Sequence, residues 1–108
     1  MTKLEEATET YVATIRATDI YENYVLQRDK VKKMPELKAK IDEFRRRNFE
    51  LQNSEETEDL YDKVDAFEQE YAKFIENPLV RNFLDAELGF CRMMQKIYTD
   101  ISDKIDFE

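Results

Sequence analysis

Apolar residues recur at helical spacing along this whole chain. Over residues 2–17, Leu4, Tyr11 and Ile15 share one face with Val12 beside them, which predicts a first helix from about Thr2 to Ala17. That phase does not continue, because the next seam is Ile20, Tyr24, Gln27, Val31 and Met34, displaced from where a straight helix would carry it. Thr18-Asp19 lies at the displacement. Asp19 with Glu22 three residues on reads as an N-cap with a partial capping box, so a break is expected there. Met34-Pro35-Glu36 marks the next boundary, since proline disfavours helix in the residue before it and fits the first turn of a new one. Leu37, Ile41, Phe44 and Leu51 then define a third helix. Gln52 to Glu56 is polar enough for a loop, with Ser54 or Thr57 as the next cap. A fourth helix carries Leu60, Val64, Phe67, Tyr71 and Phe74, an unbroken 4,3,4,3 run.

Asn77-Pro78 ends that helix and opens the last one, an N-cap residue followed by a proline at the first helical position. From there to Ile105 two seams run side by side. The first is Val80, Leu84, Cys91, Met94, Ile101 and Ile105, interrupted at Glu87 and Tyr98; the second is Leu79, Phe83, Ala86, Phe90, Met93 and Ile97. A face that wide needs partners on two sides. If the first seam closes the core, then Leu79, Phe83, Phe90, Met93 and Ile97 need another cover. Burying five such side chains is worth about 7 to 15 kcal/mol before the entropy of association. The first two helices are short and lightly apolar, so the expectation is a two-fold homodimer with those five residues at or near its interface. Helix, proline, helix occurs at Pro35 and again at Pro78, but the two halves share little else, so two corners are a better reading than a duplication. The fold class expected is all-α: an antiparallel bundle of about four to five helices with a long C-terminal helix, forming one domain over residues 1–108.

Composition sharpens this picture. The chain has one Gly and two Pro against 39% charged residues, a balance that favours long helices, and no His or Trp. Its only serines are Ser54 and Ser102, so most catalytic kits are absent. A lone Cys91 forms no internal disulfide and fits a reducing cytoplasm, as does an acidic N-terminus with no apolar stretch. No uncharged run is long enough for membrane insertion.

The net charge of −8 argues against nucleic acid as a partner, yet it is unevenly spread. Residues 28–47 carry nine Lys or Arg against four acids, and residues 50–76 carry ten acids against two Lys. A hairpin of the third and fourth helices would bring these opposite flanks together and so select register. Within the basic stretch, Arg45, Arg46 and Arg47 point three ways among Asp42, Glu43 and Glu50, which reads as a solvated, ion-paired face rather than a phosphate site. Glu87, the one charge on the first seam of the last helix, is a candidate buried carboxylate that would pair with Arg, Lys or a Tyr hydroxyl and fix register. Cys91 and the Met93-Met94 pair read as packing.

The run Ala17-Thr-Asp-Ile-Tyr-Glu-Asn-Tyr, the segment Met34-Pro-Glu-Leu-Lys-Ala-Lys-Ile-Asp-Glu-Phe leading to Glu50-Leu-Gln, and above all Asn77-Pro-Leu-Val-Arg-Asn-Phe-Leu-Asp-Ala-Glu-Leu resemble the YlbF/YmcA family of Gram-positive bacteria. The resemblance covers nearly the whole chain and implies an all-helical, dimer-forming cytoplasmic protein. Some members promote competence, biofilm formation and sporulation as non-enzymatic subunits of a complex that influences mRNA processing by a membrane-tethered ribonuclease. Those members bind iron–sulfur clusters through cysteines; with Cys91 alone, no cofactor is expected here. The leading expectation is therefore a non-catalytic regulator or scaffold that contacts another protein. The alternative is a small all-helical dimeric enzyme of the chorismate mutase kind, whose interior Arg and Lys would grip an anionic metabolite; against it, Arg16, Arg28 and Arg81 each sit one position off an apolar seam, where they reach solvent or a flank.

Overall fold

The computed structural model describes residues 1–54 and 59–106. These form five helices and no strand: α1 (Lys3–Arg16), α2 (Asp19–Lys32), α3 (Pro35–Gln52), α4 (Leu60–Glu76) and α5 (Pro78–Ile105). The all-α class expected from the periodicity is the class observed.

Each boundary has a local cause. The Thr2 hydroxyl accepts from the Glu5 amide at 3.1 Å and opens α1. The expected break between α1 and α2 is present, but its cap is Thr18 rather than Asp19. The Thr18 hydroxyl accepts from the Tyr21 amide at 3.1 Å, and Asp19 is already the first helical residue. Asp19 and Glu22 instead place negative charge in a first turn, where the helix dipole favours it. Pro35 begins α3 as expected. Asn77 ends α4 and caps α5, its side-chain oxygen accepting from the Leu79 amide at 3.0 Å. The start of α4 differs from expectation. Ser54 is not its cap, Thr57 lies outside the described residues, and the helix begins at Leu60 behind Asp59, which sits at φ 64° with no side-chain cap bond. Asp is one of the few non-glycine residues that tolerates that left-handed conformation.

The chain divides into two compact units, Met1–Arg28 with Phe83–Glu108, and Asp29–Asn82. In the first, α2 and α5 run antiparallel. Thr18 meets Met93, Tyr21 meets Phe90, and Tyr24 stacks on Phe90 and Phe83 with ring centroids 5.0 and 6.3 Å apart, so numbering rises on one helix as it falls on the other. Such ring pairs add about 0.5–1.5 kcal/mol each beyond the area they bury. Phe83 and Ala86 are the buried residues of this unit.

In the second unit α3 and α4 form the expected antiparallel hairpin. Phe44 packs its ring against Phe67, Tyr71 and Phe74 at 5.4, 5.1 and 6.2 Å, while farther along α3 Arg47 reaches Glu70. Val31, Ile41, Tyr71, Phe74 and Val80 are buried in this unit.

Candidate functional site

The two seams of α5 divide differently from the sequence reading. Phe83 is 5% exposed, and Phe90, Met93 and Ile97 are half-buried on the side that meets Tyr21, Tyr24 and Thr18 of α2. Leu79, in the other unit, is also half-buried. The stripe that the sequence reserved for a partner is thus covered in large part by α2, because two tyrosine rings supply more contact than a count of aliphatic residues on α2 suggested. The first seam is buried at Val80 and half-buried at Leu84, and it opens farther along the helix. Cys91, Met94, Ile101 and Ile105 are exposed, with Ile105 at 68% and the neighbouring Tyr98 at 70%.

Glu87 moves with that seam. It is half-buried rather than buried, so the heavy desolvation cost anticipated for it does not arise. Cys91 is likewise not the packing residue expected but an exposed thiol.

α1 belongs to the same unit and has no buried residue. Leu4 is 78% exposed, and Tyr11 and Val12 are also exposed. Its threonines are occupied locally: Thr8, Thr10 and Thr14 each donate to the carbonyl four residues back, which leaves the apolar positions as the feature of this helix without a settled role.

On the second unit, one ion pair joins the basic stretch of α3 to the acidic α4. Arg47 Nη1 donates to Glu70 Oε1 at 2.7 Å and to the Tyr71 hydroxyl at 3.0 Å, and the guanidinium lies over the Phe67 and Tyr71 rings. The hydrogen bond from Arg47 holds the Glu70 carboxyl below its usual range, and the same bond raises the guanidinium. Arg46 pairs with Glu50 one turn on, Lys38 pairs with Asp42, and Arg45 is half-buried. The arginine run is therefore spent on ion pairs and hairpin packing.

A groove lies on each side of the α3/α4 seam. One, of about 420 Å³, carries four charged side chains, Arg47, Glu50, Lys63 and Glu70, beside Leu51, Ala66 and Phe67. The other, of about 460 Å³, is lined chiefly by apolar side chains of Leu51, Leu60, Val64, Phe67 and Ile75. The sequence reading places Phe44, Leu51, Leu60, Val64 and Phe67 on helix seams but expects no site there. The signal was present, since Ile75 lies one position past the 60-64-67-71-74 run and widens α4's apolar stripe to one side.

Arg16 and Arg81 are exposed, and Arg28 lies 5.8 Å from the centroid of the Tyr24 ring. Among the described residues no group of three or more His, Cys, Asp or Glu is arranged to hold a metal ion, and no helix is long and apolar enough to cross a membrane.

A family model described as "Control of competence regulator ComK, YlbF/YmcA" matches residues 4–106. The chain belongs to the YlbF/YmcA family. No curated protein and no solved structure matches it significantly. The family's description is that of a regulator. The iron–sulfur ligation implied by resemblance to some members does not fit this YlbF/YmcA chain: Cys91 is its sole thiol, it has no His, and a cluster ordinarily takes four thiolates.

Proposed function

We propose that this YlbF/YmcA protein is a non-catalytic regulator of the cytoplasm that works by protein–protein contact as a homodimer, and that its self-association face is α1 together with the outer seam of α5. The observation that carries this reading is the open apolar surface of one unit: Leu4, Tyr11 and Val12 on α1, and Met94, Tyr98, Ile101 and Ile105 on α5. Soluble proteins rarely leave so large an apolar surface uncovered unless it meets a partner. A 14-residue helix with no buried residue is also marginal in water by itself, so a partner that covers α1 would supply the packing it lacks. A two-fold axis satisfies both needs at once, since one self-complementary patch then covers its own copy.

The family's description as control of a competence regulator supports a regulatory output. We extend it to the finer expectation of a partner in the mRNA-processing apparatus. The experiment is an affinity pulldown of the tagged full chain from its native cells. Recovery of a defined second protein at fixed stoichiometry is expected. Recovery of the bait alone, under conditions that retain its self-association, would sink the reading.

A further inference from the structure

We infer that the apolar groove along the α3/α4 hairpin is a docking site for an amphipathic helix of a partner protein, one that carries Lys or Arg along the flank facing α4. This rests on the proposal that the chain works through protein contacts, and it names where the other protein sits and what chemistry it brings.

Two antiparallel helices touch along one line and leave a furrow on either side. On one side Arg47 bridges the furrow to Glu70 and Tyr71, and four charged side chains line the surface there. The lining on the other side is mostly apolar. The groove of about 460 Å³ is floored by Leu51, Leu60, Val64, Phe67 and Ile75, and Glu68 is the one formal charge that lines it. Its remaining polar side chains, Asn48 and Gln52, are hydrogen-bonded to each other at 3.4 Å. The groove follows α3 from Phe44 to Gln52, about 12 Å at 1.5 Å per residue, which accepts about two turns of a third helix with anchors at i, i+3 or i+4, and i+7. A small polar ligand would find few convergent hydrogen-bonding groups here. A helix needs none.

The charge of the occupant follows from the edge on α4. Asp65 and Glu68 are exposed, lie one position past the helix's core run, and form no ion pair among the described residues. A docking helix with acidic flanks would meet repulsion there, and one with basic flanks would gain two partners and faster association. The same argument disfavours a second copy as occupant through α1, whose first two turns carry Glu5, Glu6 and Glu9.

The test uses the full chain with labelled methyl groups and three synthetic 20-residue peptides: one amphipathic with a Leu face and Lys flanks, one with the same Leu face and Glu flanks, and a scramble of the Lys peptide. The Lys-flanked helix is expected to bind and to shift the methyls of Leu51, Leu60 and Val64, with the other two at least about tenfold weaker. In the exposed double variant Asp65→Lys with Glu68→Lys, preference should invert toward the Glu-flanked helix, while Glu9→Lys should change nothing. An unchanged preference in the double variant, equal binding of the scramble, or methyl shifts confined to α1 and α5 would overturn the groove assignment. None of those outcomes touches the pulldown, so the groove can fail while the protein-contact reading stands.

Discussion

Arg47 makes two hydrogen bonds from one nitrogen and covers two aromatic rings, so a single side chain ties α3 to α4. Its partner Glu70 titrates below the ordinary carboxylate range in the folded chain, chiefly because it accepts that hydrogen bond. A carboxylate whose folded pKa is depressed stabilises the fold above its unfolded pKa, and that stabilisation is lost as pH falls through the folded value. Arg47→Leu should therefore return the Glu70 carboxyl toward its ordinary range, seen by NMR titration of the side-chain carbonyl. It should also flatten the acid limb of stability. If Glu70 titrates identically with and without Arg47, the pair is not formed in solution. Thr18 acts at the same scale. Its hydroxyl donates to the Ile15 carbonyl at 2.7 Å and accepts from the Tyr21 amide, which joins the end of α1 to the start of α2. Thr18→Ala should cost about 1 kcal/mol in urea denaturation and Thr18→Ser much less, whereas Asp19→Ala should lose only a dipole contribution of about 0.3–1 kcal/mol. A larger loss at Asp19 than at Thr18 would restore the sequence-based cap.

Among the elements, α5 tolerates one glycine in its middle. A methyl added at Gly89 would meet nothing within 4 Å. Gly89→Ala should accordingly stabilise the protein by about 0.5–1 kcal/mol, read as a higher urea midpoint with an unchanged slope. Destabilisation would mean that another surface presses on Gly89 in solution. Helix starts at Pro35 and Pro78 could be read from sequence because proline and Asn77 act within a single turn, on the backbone they belong to. The start of α4 could not: it depends on a left-handed residue at Asp59, and the side-chain capping rule that pointed to Ser54 or Thr57 does not register such a conformation. The orientation of α5 escaped for a different reason. Both of its seams are apolar, so periodicity leaves open which one turns inward. The decision falls to Tyr21 and Tyr24, whose rings fit between and beside Phe83 and Phe90. Glu87 and Cys91 were misplaced by the same step, since both were read against a seam assumed to be core. The aromatic residues were more legible, because Tyr24, Phe44, Phe67, Tyr71, Phe74, Phe83 and Phe90 lie on the seams and each joins one of two ring clusters, although Tyr11, also on a seam, is exposed.

For the molecule as a whole, the outer seam of α5 and the apolar side of α1 make a measurable forecast. Light scattering should give about twice the 13.0 kDa chain mass. Met94→Glu with Ile101→Glu should yield a folded monomer, since both side chains are exposed within the chain. Phe83→Glu with Phe90→Glu should instead unfold the first unit, because those rings stack on Tyr24. A wild-type chain that stays monomeric at tens of micromolar would remove the self-association proposal and leave the hairpin groove to be judged by its own test.

A helix with no buried residue has little to keep its amides from the solvent. In α1, hydrogen–deuterium exchange should therefore work as a gauge of assembly: nearly unprotected at high dilution, slowing as concentration rises, while the amides around Ile41 and Val80 hold a constant rate. Protein abundance in the cell would then set how much of the N-terminal segment is ordered, and a protease that cuts only frayed helices would clear the chain when its copy number falls.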